Sequence, residues 1–295
     1  MCIRDSGDTL AANITTMNNQ AAPGPIGVFD SGYGGLTILH QMRSLLPQYD
    51  YLYLGDNARA PYGPRSFDVV YQFTREAVVK LFSMGCHLVI LACNTASAKA
   101  LRTIQQNDLP VLDPTRRVLG VIRPTAECIG SITQTRHVGI LATEGTIKSE
   151  SYVLEIQKLY PDISVSGVAC PLWVPLIENN EYDTPGADYF VKKRIDALMR
   201  LDPKIDSIIL GCTHYPLLLD KILKHTPRGV RIIPQGEYVA ASLKSYLERH
   251  PEIDARCTKR GSCRYLTTEN KDKFAESAKI FMHEPVADVD TITLA

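Results

Sequence analysis

The run "HLVILACNTAS" (87–97) decides the reading of this chain, because it is answered 119 residues later, Cys93 to Cys212, by "DSIILGCTHYP" (206–216). In each copy a short apolar run bounded by polar residues describes a strand buried on both faces. A cysteine follows at once or after one glycine, then small hydroxyl or amide residues, then a helix-forming segment, "SAKALRTI" in the first copy and "LLLDKILKH" in the second. Pro216 suits a first helical turn. Strand, cysteine and helix make half of a βαβ unit, and doubly wound sheets bind ligands at the carboxyl ends of their strands, where both cysteines fall.

Working outward, "IGVFDSGYGGLTIL" (26–39) is echoed by "VGILATEGTIKS" (138–149), an offset of 112 residues from Ile26 to Val138. Two equivalent offsets predict two pseudo-symmetric, doubly wound α/β lobes with mostly parallel sheets. If the lobes face each other, each lends a strand-end cysteine to one cleft between them. Between these landmarks "LTILHQMRSLLP" reads as a helix stopped by Pro47, "DYLYLGD" as a strand, and "SFDVVYQFTREAVVKLFSMG" as a helix closing at Gly85. "RIIPQGEYVAASLKSYLERHP" (231–251) predicts a short strand and a helix that packs back on the first lobe. Residues 1–24, polar and aperiodic, read as a disordered leader or a non-native remnant.

Composition narrows the function. The 295 residues carry 32 Lys plus Arg against 32 Asp plus Glu, so no basic footprint points to nucleic acid or to an acidic membrane. No stretch approaches the ~18 apolar residues of a membrane span. Eight scattered cysteines suggest free thiols in a reducing compartment. A small polar ligand of a cytoplasmic protein is the expectation.

Two thiols on opposite walls of a cleft suit inversion at a carbon bearing an acidic hydrogen: one thiolate removes the proton from one face while the other thiol delivers a proton to the opposite face. A free thiol, with a pKa near ~8.5, is mostly protonated at neutral pH, and a helix N-terminus or a polar partner can lower that value. His214, two residues after Cys212, can orient that thiol or exchange its proton. Asp30 ends the first predicted strand and suits a substrate ammonium or Cys93. A dinucleotide fingerprint is disfavoured there, since Thr37 stands in the third glycine's place and Asp30 would repel a pyrophosphate. Cys212 and His214 lack the further ligands that a zinc site needs, so no metal is expected.

With "FDSGYGG", "PYG", "ACNTAS", "ATEGT", "CPLWVPLIE" and "LGCTHYPLL" in order over roughly residues 26–250, the chain resembles the glutamate racemases of the aspartate/glutamate racemase superfamily. The resemblance implies a cofactor-independent interconversion of L- and D-glutamate, supplying D-glutamate for peptidoglycan. It implies Cys93 and Cys212 as acid/base catalysts, assisted by Asp30 and His214. Ser31, Pro61, Tyr62, Gly63, Asn94, Thr95, Thr143, Thr146 and Thr213 match positions that hold the substrate or shape its loop, and Glu178 an acidic position nearby. It further implies discontinuous domains, 25–121 with 232–295 and 122–231, and assembly as a homodimer or another oligomer. An aspartate racemase, a related isomerase, or a noncatalytic amino-acid-binding protein stay open as alternatives. "IIPQGEYVA" (232–240) departs from the usual pattern, where an acidic residue is more common, and the tail beyond about Cys257 has no assigned purpose.

Overall fold

The computed structural model describes residues 22–294. Among them, the strands are β1 Ile26–Asp30, β2 Tyr51–Gly55, β3 Leu88–Leu91, β4 Arg117–Gly120, β5 His137–Ala142, β6 Ser164–Ala169, β7 Ser207–Gly211, β8 Arg231–Ile233, β9 Cys263–Thr267 and β10 Val289–Thr291. They form two sheets, ordered β10-β9-β2-β1-β3-β4 and β6-β5-β7-β8. Every pairing is parallel. Every residue of β1, β2, β3 and β7 is buried, as expected when crossover helices cover both faces of a parallel sheet.

The internal repeat is structural. The order β2-β1-β3-β4 recurs as β6-β5-β7-β8. Register recurs too: Gly27 pairs Val89 and Phe29 pairs Leu91, while Gly139 pairs Ile208 and Leu141 pairs Leu210. These are the residues that the 112- and 119-residue offsets equate.

Local rules account for the element ends. The first helix spans Leu36–Leu45 and stops because Leu46, ahead of Pro47, leaves helical geometry, with φ −128° and ψ 57°. The helix Phe67–Ser83 starts under a Ser66 cap whose hydroxyl accepts from Val69 N, and the chain leaves it through Gly85 at φ +91°, a conformation that glycine adopts at no steric cost.

Three expectations shift. Residues 1–21 of the expected leader lie outside the described residues, but its last three are ordered: Gly24 N donates to Arg256 O and Thr258 N to Gly24 O, a parallel bridge that ties this segment to the tail. The predicted strand at 231 joins the second sheet through β7, so the chain returns to the first lobe after Ile233 rather than at 232. The tail beyond Cys257 completes the first sheet, because β9 pairs with β2 and β10 with β9. The helix Gly236–Arg249 does return as expected, burying Val239, Ala240, Leu243 and Leu247 and packing on Leu36–Leu45.

Candidate active site

Cys93 follows β3 after one residue, Ala92, and Cys212 directly follows β7, so the parallel sheets deliver both thiols at strand carboxyl ends. Both are nearly buried, at 6% exposure each, and both line one cavity of about 170 Å³. That volume suits an amino-acid-sized ligand better than a drug-sized one, for which sites begin near ~300 Å³. Ser31, Pro61, Tyr62, Gly63, Asn94, Thr95, Thr143, Glu178, Thr213 and His214 share the lining. Asp30 and Thr146 do not: both are 1% exposed and stand behind the wall.

The two lobes close on each other around this cavity. Thr37 Oγ1 donates to Thr213 O at 2.9 Å, Gly145 N donates to Gly63 O at 3.0 Å, and the Thr95 and Thr143 hydroxyls meet at 3.0 Å. Thr146 Oγ1 backs that pair, 3.1 Å from Thr143 Oγ1 and 3.5 Å from Thr95 Oγ1. Gly34 sits in a tight part of the seam, where a Cβ would come within 2.3 Å of His214 Nδ1.

The two thiols have different surroundings. Cys93 caps the short helix Asn94–Lys99: its sulfur accepts from Ala96 N at 3.4 Å and lies 3.4 Å from Ser31 Oγ. Burial above all, and then the nearby Asp30 charge, nevertheless push its pKa up to about 12 against those hydrogen bonds. The lowering expected of a helix N-terminus is thus outweighed by desolvation, and Cys93 rests as a thiol at neutral pH. Burial also raises the Asp30 pKa, opposed by His214 and by the nearby backbone N–H groups of Gly32 and Gly35. Asp30 Oδ2 accepts from Gly32 N at 2.9 Å, but Oδ1 is buried with no partner.

On the other side His214 stands between Cys212 and Glu178. Its Nδ1 lies 3.9 Å from Cys212 Sγ and its Nε2 3.0 Å from Glu178 Oε1. Burial alone would favour the neutral ring, but the hydrogen bonds and charges of Cys212 and Glu178 prevail and carry its pKa up to about 10. His214 is therefore an imidazolium at neutral pH. Among the described residues the lining contains no Lys or Arg, so a carboxylate entering the cavity meets this ring and the hydroxyl and amide groups of Ser31, Asn94, Thr95, Thr143 and Thr213.

Tyr62 lines the cavity with its ring while its hydroxyl points elsewhere, donating to Asp56 Oδ2 at 2.5 Å. Fully buried Asp56 also accepts from Arg59 Nε at 2.7 Å and from Thr268 Oγ1 at 2.9 Å, anchoring the loop that carries Pro61–Gly63 to the tail. Sequence reasoning assigned neither Asp56 nor Cys170 to the site. Cys170 lines the cavity with Pro171, Val174 and Pro175. It follows β6, so the strand-end logic used for Cys93 and Cys212 would have found it. Burial raises its thiol pKa well above the ordinary value.

The chain matches the family model for Asp/Glu/hydantoin racemases over residues 36–243. It is 40% identical over 271 residues to a glutamate racemase of a Ruegeria species, covering 88% of this chain and 97% of that one. A crystal structure of a glutamate racemase isoform from Bacillus anthracis superposes with a TM-score of 0.83 at 34% identity, covering 92% of this chain and 98% of the other. That of the glutamate racemase from Francisella tularensis in complex with D-glutamate gives 0.82 at 31% identity, with the same coverage.

Proposed function

Because the chain belongs to the Asp/Glu/hydantoin racemase family, we propose that it is a glutamate racemase that interconverts L- and D-glutamate through Cys93 and Cys212. The observation that carries this reading is that two strand-end cysteines, one from each sheet, line a single amino-acid-sized cavity. A base on one wall and an acid on the other account for inversion without rotation of the substrate.

In this mechanism the buried Asp30 carboxylate attracts the substrate ammonium from behind the cavity wall, while the lining groups Ser31 and Asn94 hold it. The incoming positive charge offsets Asp30, which after burial is the second cause of the high Cys93 pKa, so binding favours thiolate formation, with the Cys93 proton passing to the Asp30 carboxylate. The desolvation that makes this thiolate costly also makes it a strong base toward a weakly acidic Cα–H. Across the cavity His214, charged and braced by Glu178, exchanges a proton with Cys212. Hydroxyl and amide donors of both lobes hold the carboxylates and stabilise the charge that develops as the α-hydrogen departs.

The product D-glutamate would supply peptidoglycan synthesis in a bacterial cytoplasm, and the working enzyme would be a homodimer. The test is incubation of the purified protein with L-glutamate and, separately, L-aspartate, following optical rotation. Loss of rotation with glutamate alone is expected. Inversion of aspartate alone would move the assignment to the sister activity, and a folded protein inert toward both would remove it.

A further inference from the structure

The departure "IIPQGEYVA" places Gln235 where the chain crosses back between the lobes, and its side chain is buried at 2% exposure. Its Oε1 accepts from Asn94 Nδ2 at 2.6 Å, and the two hydrogens of its Nε2 are shared among Tyr152 Oη at 2.5 Å, Thr125 Oγ1 at 3.0 Å and Val121 O at 3.2 Å. Tyr152 Oη in turn donates to Asn94 Oδ1 at 2.7 Å. Asn94, Gln235 and Tyr152 thus form a closed ring in which each group donates once and accepts once.

The direction of this ring is fixed from outside. Val121 O is a main-chain carbonyl and can only accept, so the Gln235 amide must turn its NH2 toward it and its oxygen toward Asn94. Asn94 must then present its own NH2 to Gln235, and Tyr152 must donate to Asn94 Oδ1. Among the described residues one Nδ2 hydrogen of Asn94 has no acceptor, on a residue that lines the cavity beside Cys93. Val121 is also the point at which the chain first leaves the first lobe, between β4 and the helix Ile122–Ile132. One side chain therefore ties both interlobe crossings to the residue next to Cys93.

We propose that Gln235 is a positioning residue for the racemisation: it locks the Asn94 amide with an N–H directed at the substrate carboxylate. The proposal rests on the racemase reading above. Its test is a double-mutant cycle of Gln235→Leu and Asn94→Ala on the full chain, with kcat and KM for glutamate and thermal stability measured for all four proteins. Gln235→Leu alone should lower kcat/KM by about tenfold or more, the size of one lost charge-assisted hydrogen bond together with an unpaired buried group. In the Asn94→Ala background it should cost little further, because its effect passes through that amide.

Gln235→Glu keeps the volume and the acceptor facing Asn94 but turns an oxygen toward Val121 O, and it should also lower kcat/KM. It serves in place of the leucine variant should that one fail to fold. Losses that multiply in the double variant, or full kcat/KM in folded Gln235→Glu or Gln235→Leu, would overturn the positioning role while leaving the racemase reading intact. A wild-type chain that racemises neither enantiomer would overturn both, so the two failures are told apart by the first measurement.

Discussion

Replacing Gly34 by alanine adds one methyl at the seam between the lobes. The φ of Gly34 lies outside the left-handed region, so the backbone accepts the change and the whole effect is steric. The new Cβ would stand 2.3 Å from His214 Nδ1, 2.7 Å from His214 Cε1 and 2.4 Å from Thr213 Oγ1. Ordinary contact needs about 3.5 Å, so the two walls must part by roughly 1 Å. His214 cannot simply rotate aside, because Glu178 holds its Nε2 at 3.0 Å and Phe281 packs edge-on at 5.4 Å. A shift of about 1 Å at a proton-transfer site costs on the order of 100-fold in rate, and overpacking costs about 1–3 kcal/mol of stability. Racemisation kinetics and denaturant unfolding measure the two. Gly186→Ala is the control, since its Cβ meets only Thr184 Oγ1 at 3.6 Å, and it should leave activity unchanged and stability equal or up to about 1 kcal/mol higher. A folded Gly34→Ala protein with racemisation within twofold of wild type would refute the tight-seam argument.

The raised His214 pKa makes stability depend on pH. Its folded value of about 10 exceeds the ordinary 6.5, so the stabilisation is full below about pH 6.5 and is lost as pH rises through about 10. Glu178→Gln removes one of the charges that raise it, and urea unfolding between about pH 7 and 10 should then show a shallower decline; slopes equal to wild type would exclude the imidazolium–carboxylate pair. Asp56→Ala strands the donors of Arg59, Tyr62 and Thr268 and should cost about 3–5 kcal/mol, the scale for breaking a buried ion pair. The same variant should raise KM, because the Pro61–Gly63 loop loses its anchor; unchanged stability and KM together would contradict the anchoring role.

What was legible in the sequence follows from how far each signal reaches. β3 and β7 announce themselves through local apolar runs, and the cysteine after each follows from strand direction alone. The repeat of these runs was enough to predict two related sheets. Pairings set by tertiary contact were not legible. Nothing local marks Cys263–Thr267 as the neighbour of β2, and the short apolar run at 231–233 carries no label for which sheet it joins. The same limit hid Asp56, whose partners lie at 59, 62 and 268, and the burial of Asp30 and Thr146 behind the cavity wall. The direction of the Cys93 pKa was hidden for a related reason: a helix N-terminus is visible in sequence, while the desolvation that outweighs it is a property of the packed lobes.

The most direct test of opposed thiols is the stereochemistry of α-hydrogen exchange in D2O with Cys93→Ser and Cys212→Ser. Each variant retains one competent thiol on one wall. The account predicts that each exchanges the α-hydrogen of one enantiomer of glutamate only, that the two variants choose opposite enantiomers, and that neither racemises at the wild-type rate. Exchange of the same enantiomer by both variants, or undiminished racemisation by either, would contradict it.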